Sequence, residues 1–202
     1  ICSAKLNRIE DREGGSRLYH QQGTTDAEVV VYMQHNALAK IEPFFTTTLG
    51  TIRTQAISYV RSTPAMKQSC SAQYGYLSWR DEGTMRMISG CRWATPHLEI
   101  GEFDDSIVVS VIEKALIRTV RQCFLEEEVR IANRWSMIER RSCDGLPLVG
   151  PIPGRDHLIS CTAFQGRLLG LGFAAAESIS ELLLNGVAKH LPSSFSLRRF
   201  LL

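Results

Sequence analysis

Short alternating stretches dominate the first third of the chain. Ala4 to Glu10 alternates weakly, Gly14-Gly15 is a turn signal, and Arg17 to Gln22 can pair back across it. Glu28 to Met33 holds Val29, Val30 and Val31, a β-branched run of the kind found in a strand buried on both faces. The stretch from Asn36 to Ile41 is short and closes at Pro43. Ile52 to Val60 and Tyr74 to Arg80 read as strands, and Glu82-Gly83 turns the second into Thr84 to Trp93. The period then changes. Ile107, Val108, Val111, Ile112, Ala115, Leu116, Val120 and Phe124 fall on one helical face, with Asp104 and Asp105 available to cap its start. Strand character returns over Val129 to Ile138, and Glu126, Glu127 and Glu128 before it read as an exposed helix terminus. A stretch rich in proline and glycine, Asp144 to Gly154, reads as a rigid irregular loop. Leu158 to Thr162 is a short strand, Gly166 sits in a loop, and Leu168 to Leu184 is a closing helix with Asn185-Gly186 as its C-cap. The Val29–Met33 and Leu158–Thr162 strands, both short and apolar, are expected in one half of the structure.

Composition narrows the class. With 202 residues, 44% hydrophobic and 22% charged, the chain is an ordinary globular sequence, of one large domain or two small interleaved ones. The net charge of +2 is too small to point to nucleic acid or an anionic membrane. The charge-free run Leu168 to Ala176 is far short of the roughly 20 residues of a membrane span. Cys2, Cys70, Cys91, Cys123, Cys143 and Cys161 show no CxxC spacing, which reads as reduced, mostly buried thiols in a cytoplasmic protein, with no metal site. The chain opens at Ile1 with no signal-peptide pattern, and a start at isoleucine suggests that a segment upstream is missing.

The segment from Leu158 to Leu184 carries the strongest chemical pattern: a strand, a loop with Gly166, then a helix. Such a turn aims free N–H groups and the positive end of the helix dipole at an anion or an electron-rich ring, and it is also an ordinary strand-to-helix connection. His97, His157 and His190 are scattered and read as solvated. Trp79 and Tyr76 suit core packing or a cavity wall, and Arg92 suits a ligand face or a surface charge.

Several motifs occur in order: AEVVVYMQHNA at 27–37, IRTQ at 52–55, STP at 62–64, YGYLSWRDEGTMRMISGCR at 74–92, Trp135, DGLPLVGPIPG at 144–154, CTAFQGRLLGLGFAAAESISELLLNG at 161–186 and RRF at 198–200. Together they resemble the FAD-dependent amine and amino-acid oxidoreductases, the group of D-amino-acid oxidase, glycine oxidase and sarcosine oxidase. Almost the whole chain is covered. The GxGxxG strand and helix that open the family are absent, so the resemblance is to the C-terminal half.

The resemblance implies an α/β fold of α+β character. Residues 1–43 would be the tail of an FAD-binding domain, 44–127 an antiparallel-sheet substrate domain with a helix, and 128–202 the return to the FAD-binding domain. It implies oxidation of a C–N bond of a small amine or amino acid, with FAD as hydride acceptor. Thr162, Ala163, Phe164, Gln165, Gly166, Arg167 and Leu168 would face the flavin, with Asn36 and Gly150 as further FAD contacts. Tyr76, Arg92 and Trp135 would line the substrate cavity.

Two departures matter. The family's Gly-Phe-x-Gly-His-Gly loop has Ala163 and Leu168 in place of glycines, which costs on the order of 1 kcal/mol wherever φ must be positive. The Gly-x-Arg that follows the family's tryptophan and holds a substrate carboxylate is Met137-Ile138-Glu139 here, with Arg140 and Arg141 beyond it. The other reading is a non-catalytic remnant, or a subunit that pairs with a separate FAD-binding chain. The chain alone is expected to be colourless, poorly soluble and inactive.

Overall fold

The computed structural model describes residues 4–33, 38–90 and 95–201. The strands are β1 (Leu6–Arg12), β2 (Gly15–His20), β3 (Gly23–Ala27), β4 (Val30–Tyr32), β5 (Leu49–Val60), β6 (Cys70–Ala72), β7 (Leu77–Glu82), β8 (Met85–Gly90), β9 (Arg130–Ser142), β10 (Leu148–Ile152) and β11 (Arg155–Thr162). The helices are α1 (Leu38–Ile41), α2 (Phe44–Thr48), α3 (Pro96–Glu99), α4 (Ser110–Phe124) and α5 (Leu168–Asn185). The fold is mixed α/β. It divides into two compact units, one of residues 1–50 with 139–202 and the other of residues 51–138.

The first unit holds two three-stranded sheets, β1-β2-β3 and β10-β11-β4. β4 pairs parallel with β11, Leu158 against Val30 and Ser160 against Tyr32, so the two apolar strands expected together do meet. Alternation splits β4 between two apolar layers. Val30 and Tyr32 enter a cluster with Phe45, Leu49, Leu148, Leu158 and Leu197. Val31 packs instead toward Val149, Ile159, Cys161, Ala175 and Ile179, the layer under α5. Val29 lies just before the strand and is exposed, so only the strand proper is buried on both faces.

The proline- and glycine-rich stretch is not an irregular loop. Its centre is β10, paired antiparallel with β11 from Leu148↔Thr162 to Ile152↔Arg155. β10 is an edge strand, where a proline without an N–H is tolerated, and the register shifts between Pro151 and Ile152. At the end of α5, Gly186 takes φ +72° and its N–H donates to Leu182 O at 2.9 Å, as the Asn185-Gly186 pattern implies.

The second unit holds a five-stranded sheet in the order β6-β7-β8-β5-β9. Ile57, Tyr59, Leu77 and Ile88 on one face pack against Ile112, Ala115, Leu116 and Val120 of α4. α4 starts later than the periodicity suggests, and Asp104 and Asp105 do not cap it. Its N-cap is Val109, with no side-chain cap. Buried Gln55 of β5 holds that entry instead, accepting from Val109 N at 2.9 Å and donating to Val109 O at 3.2 Å. Asp104 accepts from Ser106, and its carbonyl accepts from Arg53 Nη2 at 2.7 Å. Ser136 of β9 donates to the carbonyls of Asp105 and Ile107, so this segment follows the sheet before it can coil.

Three more expectations are corrected. The strand expected from Tyr74 begins only at Leu77, because Gln73, Tyr74 and Gly75 have φ of +52°, +57° and +84° in a 3-10 turn. Glu126 is buried, not exposed: it accepts from Ser62 N at 3.0 Å and from Thr63 Oγ1 at 2.9 Å. Of the thiols described, only Cys161 is buried, and burial pushes its pKa up; Cys123 and Cys143 are exposed and Cys70 is half-buried, all four free.

Candidate active site

The turn between β11 and α5 is built from backbone rarely taken by residues other than glycine. Ala163, Gln165 and Gly166 have φ of +61°, +55° and +78°. Thr162, Ala163 and Phe164 are buried, while Gly166, Arg167 and Leu168 are exposed. The strain anticipated at Ala163 is therefore present. Leu168 carries none of that kind, because it is the first residue of α5 and is not among the positive-φ positions.

The turn is held from outside its own sequence. Gln165 Nε2 donates to Ser142 Oγ at 2.9 Å, and Ser142 Oγ donates to Leu146 O at 2.5 Å. Arg167 N closes the turn on Phe164 O at 2.9 Å. A methyl group added at Gly166 would meet nothing within 4 Å, and no side chain caps α5. Gly170 N donates to Arg167 O at 3.0 Å, and Leu168 and Leu169 are exposed. Gly150 lies within β10 opposite Ser160, buried, with φ +122°, a conformation only glycine adopts without strain.

In the second unit, register decides which side chains share a face. Ser78 pairs with Ser89, Arg80 with Met87, and Ala56 with Ser89. These lie on the face turned away from α4. A cavity of about 230 Å³ opens there, walled by Trp135, Met87 and Met137 and edged by Ser78, Ser89 and Arg80, while the Trp79 indole packs on the α4 side against Phe124. Ser78 and Ser89 share a hydrogen bond at 2.9 Å. Trp135 is among the residues that line this cavity. Tyr76 is not among its lining residues: it follows the 3-10 turn, and its carbonyl passes so close to Gly90 that a Cβ there would sit at 1.8 Å. Arg92 and Asn36 lie outside the described residues.

Sequence reading missed Arg80, Met87, Ser78 and Ser89. The signal was available, since strict alternation in a hairpin turning at Glu82-Gly83 places all four on one face. The strand after Trp135 also resolves its arginines. Arg140 is buried, and desolvation lowers its pKa. Arg141 Nη2 donates to Glu139 Oε2 at 2.9 Å. His97 and His190 are exposed, whereas His157 lies 3.1 Å from Asp11 Oδ1 and is half-buried. Among the described residues, no group of three or more His, Cys, Asp or Glu side chains is placed to hold a metal ion.

No family model matches the chain, and no curated protein does. Solved structures do match. Glycine oxidase from Geobacillus kaustophilus superposes with a TM-score of 0.76 at 18% identity, over 97% of this chain and 52% of its own. L-proline dehydrogenase from P. horikoshii gives 0.75 at 16% identity, over 98% and 54%. L-amino acid deaminase from Proteus myxofaciens, solved with anthranilate, gives 0.71 at 16%, over 98% and 55%. The chain thus has the fold of about half of each of these proteins and spans about half their length.

Proposed function

We propose that this chain supplies the flavin-facing and substrate-facing half of an FAD-dependent oxidoreductase that oxidises a C–N bond of an amine or amino acid. The observation that carries the reading is the turn 162–168, where strained backbone is retained at Ala163 and Gln165 and the start of α5 is left open. Strain of this kind persists where the surrounding structure imposes it, and it clusters at ligand sites. The open turn fits a flat ring: Gly166 leaves room for close approach, and the first N–H groups of α5 suit the electron-rich edge of an isoalloxazine. When bound, FAD supplies the two-electron acceptor for hydride from the substrate's α-carbon, and water hydrolyses the resulting imine.

This chain's own residues bind and orient. Residues 162–168 would hold the ring edge, with Gly150 and Asn36 as further FAD contacts, and Trp135 would wall the substrate side, with Tyr76 and Arg92 as further candidates. The dinucleotide phosphates need a Gly-rich turn at a helix start, and no GxGxxG occurs in these 202 residues. That part would come from a second half, in the same polypeptide or on a separate chain.

The outer face of α5 supports a second half. Leu169 is 98% exposed, Phe173 91% and Leu184 83%, a stripe along one side of the helix. By length and composition alone α5 is apolar enough to cross a membrane, yet Ala175, Ser178 and Ile179 are buried within the first unit. A helix with both an inner and an outer apolar face suits a position between two layers. The test is reconstitution with a GxGxxG-bearing half of a related oxidase. Flavin absorbance that co-purifies and bleaches anaerobically with an amine or amino acid is the expected result. A colourless complex of the two halves would sink the proposal and favour a non-catalytic subunit.

A further inference from the structure

We propose that Gln165 is a positioning residue: the bond from its side-chain amide to Ser142 sets the backbone of the turn between β11 and α5, and through it the turn's grip on a ring. The inference rests on the oxidase reading only for the identity of that ring. A residue other than glycine at φ +55° is uncommon, and glutamine is not among those that favour left-handed backbone. The side chain accounts for its conformation. It is half-buried, and its Nε2 reaches back to the end of β9 to donate to Ser142 Oγ at 2.9 Å.

The other residues of the turn are held by different means. Ala163 is buried in the cluster with Val30 and Leu158, and Phe164 in the layer under α5, so apolar packing fixes both. Gly166 is exposed, and a methyl group there would meet nothing within 4 Å, so packing does not restrain it. Gln165 lies between them, at the point where packing ends and the tether takes over. The anchor is itself well held. Ser142 is 5% exposed and gives its own proton to Leu146 O at 2.5 Å, which leaves the lone pairs of Oγ to accept from Gln165. Gly145 N donates to Ser142 O at 3.2 Å, and Leu146 N to Asp144 Oδ1 at 3.1 Å. Arg199 closes on both Leu146 O and Asp144. Strained backbone persists where its surroundings over-determine it, and here those surroundings are a braced turn reached by one amide.

The test has two arms, and the first needs no flavin. The Arg167 N–H closes the turn on Phe164 O and reports on its backbone. In the full chain, Gln165→Ala and Ser142→Ala should each speed exchange of that amide hydrogen at least tenfold, with exchange in β10 and β11 as in wild type. Gln165→Gly removes the tether and the backbone strain together. It should speed exchange equally without lowering the thermal unfolding midpoint. Should Ser142→Ala disturb β10 or β11, the two Gln165 variants decide alone. Exchange unchanged by Gln165→Ala and Gln165→Gly overturns the tether. The second arm uses the complex reconstituted with a GxGxxG-bearing half. There Gln165→Ala should weaken flavin binding at least tenfold and lower the flavin midpoint potential, because the turn no longer holds its N–H groups toward the charge of the reduced ring. A purely structural role would leave the potential where it was. Wild-type affinity and potential in Gln165→Ala overturn the positioning role and leave the oxidase reading standing. A wild-type complex without flavin sinks the oxidase reading, and the exchange arm then decides the tether by itself.

Discussion

Arg199 grips Asp144 across 55 residues of sequence, with Nε to Oδ2 at 2.5 Å and Nη2 to Oδ1 at 3.0 Å. The same guanidinium reaches the carbonyls of Leu146, Pro147 and Ser196 at 3.1, 3.2 and 3.0 Å. It thereby ties the terminal RRF to the DGLPLVGPIPG stretch. Ser142 and Gln165 then link that stretch to the turn before α5. Three motifs scattered in sequence are one hydrogen-bonded assembly.

That grip makes stability acid-sensitive. Arg199 holds the Asp144 carboxyl down at about 2. A depressed carboxylate contributes stability that is full above its unfolded pKa near 4 and is lost as pH falls through about 2. After discounting for solvent, the contribution is of order 1–2 kcal/mol. Asp144→Asn should flatten the decline in unfolding free energy between pH 4 and pH 2. An unchanged slope would show that other carboxylates govern it.

Leu125 follows α4 with φ +55° and ψ +33°, and its side chain is 79% exposed. Left-handed backbone costs an L-residue roughly 1–2 kcal/mol, and little apolar burial offsets it here. Leu125→Gly should therefore raise stability by about 1 kcal/mol, and Leu125→Asn by less, in denaturant titrations. A loss in the glycine variant would mean that the leucine side chain packs more than its exposure indicates.

Glu126 should behave in the opposite way. Burial pulls its pKa up, but hydrogen bonds from Ser62 and Thr63 outweigh burial and bring it down. Glu126→Ala leaves two backbone N–H groups and two hydroxyls without their acceptor, at a cost of about 2–3 kcal/mol. Chemical denaturation of this variant against wild type reads the loss directly. A difference below about 0.5 kcal/mol would mean that water replaces the carboxylate there.

The outer stripe of α5 predicts two linked outcomes. Alone, the chain should self-associate and carry no flavin, and Phe173→Glu or Leu169→Glu should reduce that association in sedimentation velocity. With a GxGxxG-bearing half supplied, the same substitutions should abolish flavin retention, because the charge would lie in the interface. Association of the lone chain indifferent to both substitutions would remove α5 as the contact face.

What the sequence determined by itself was local. Period-two and helical patterns placed the Ile52–Val60 strand, the Glu82-Gly83 turn, the body of α4 and the Asn185-Gly186 cap, because each depends on residues within a few positions. An ordered set of motifs sufficed for the resemblance. Only tertiary structure decided the rest. Proline content misled over 144–154 because strandedness there depends on β11 as partner and on an edge position that short-range pattern does not contain. Asp104 and Asp105 lost the entry of α4 to Gln55, and Glu126 turned inward to Ser62 and Thr63, because side chains distant in sequence competed for those groups. Arg80 became a cavity residue only once register placed it across from Met87 and α4 covered the opposite face. Pairing and burial are collective properties: each residue's partner is chosen by where the whole chain comes to rest.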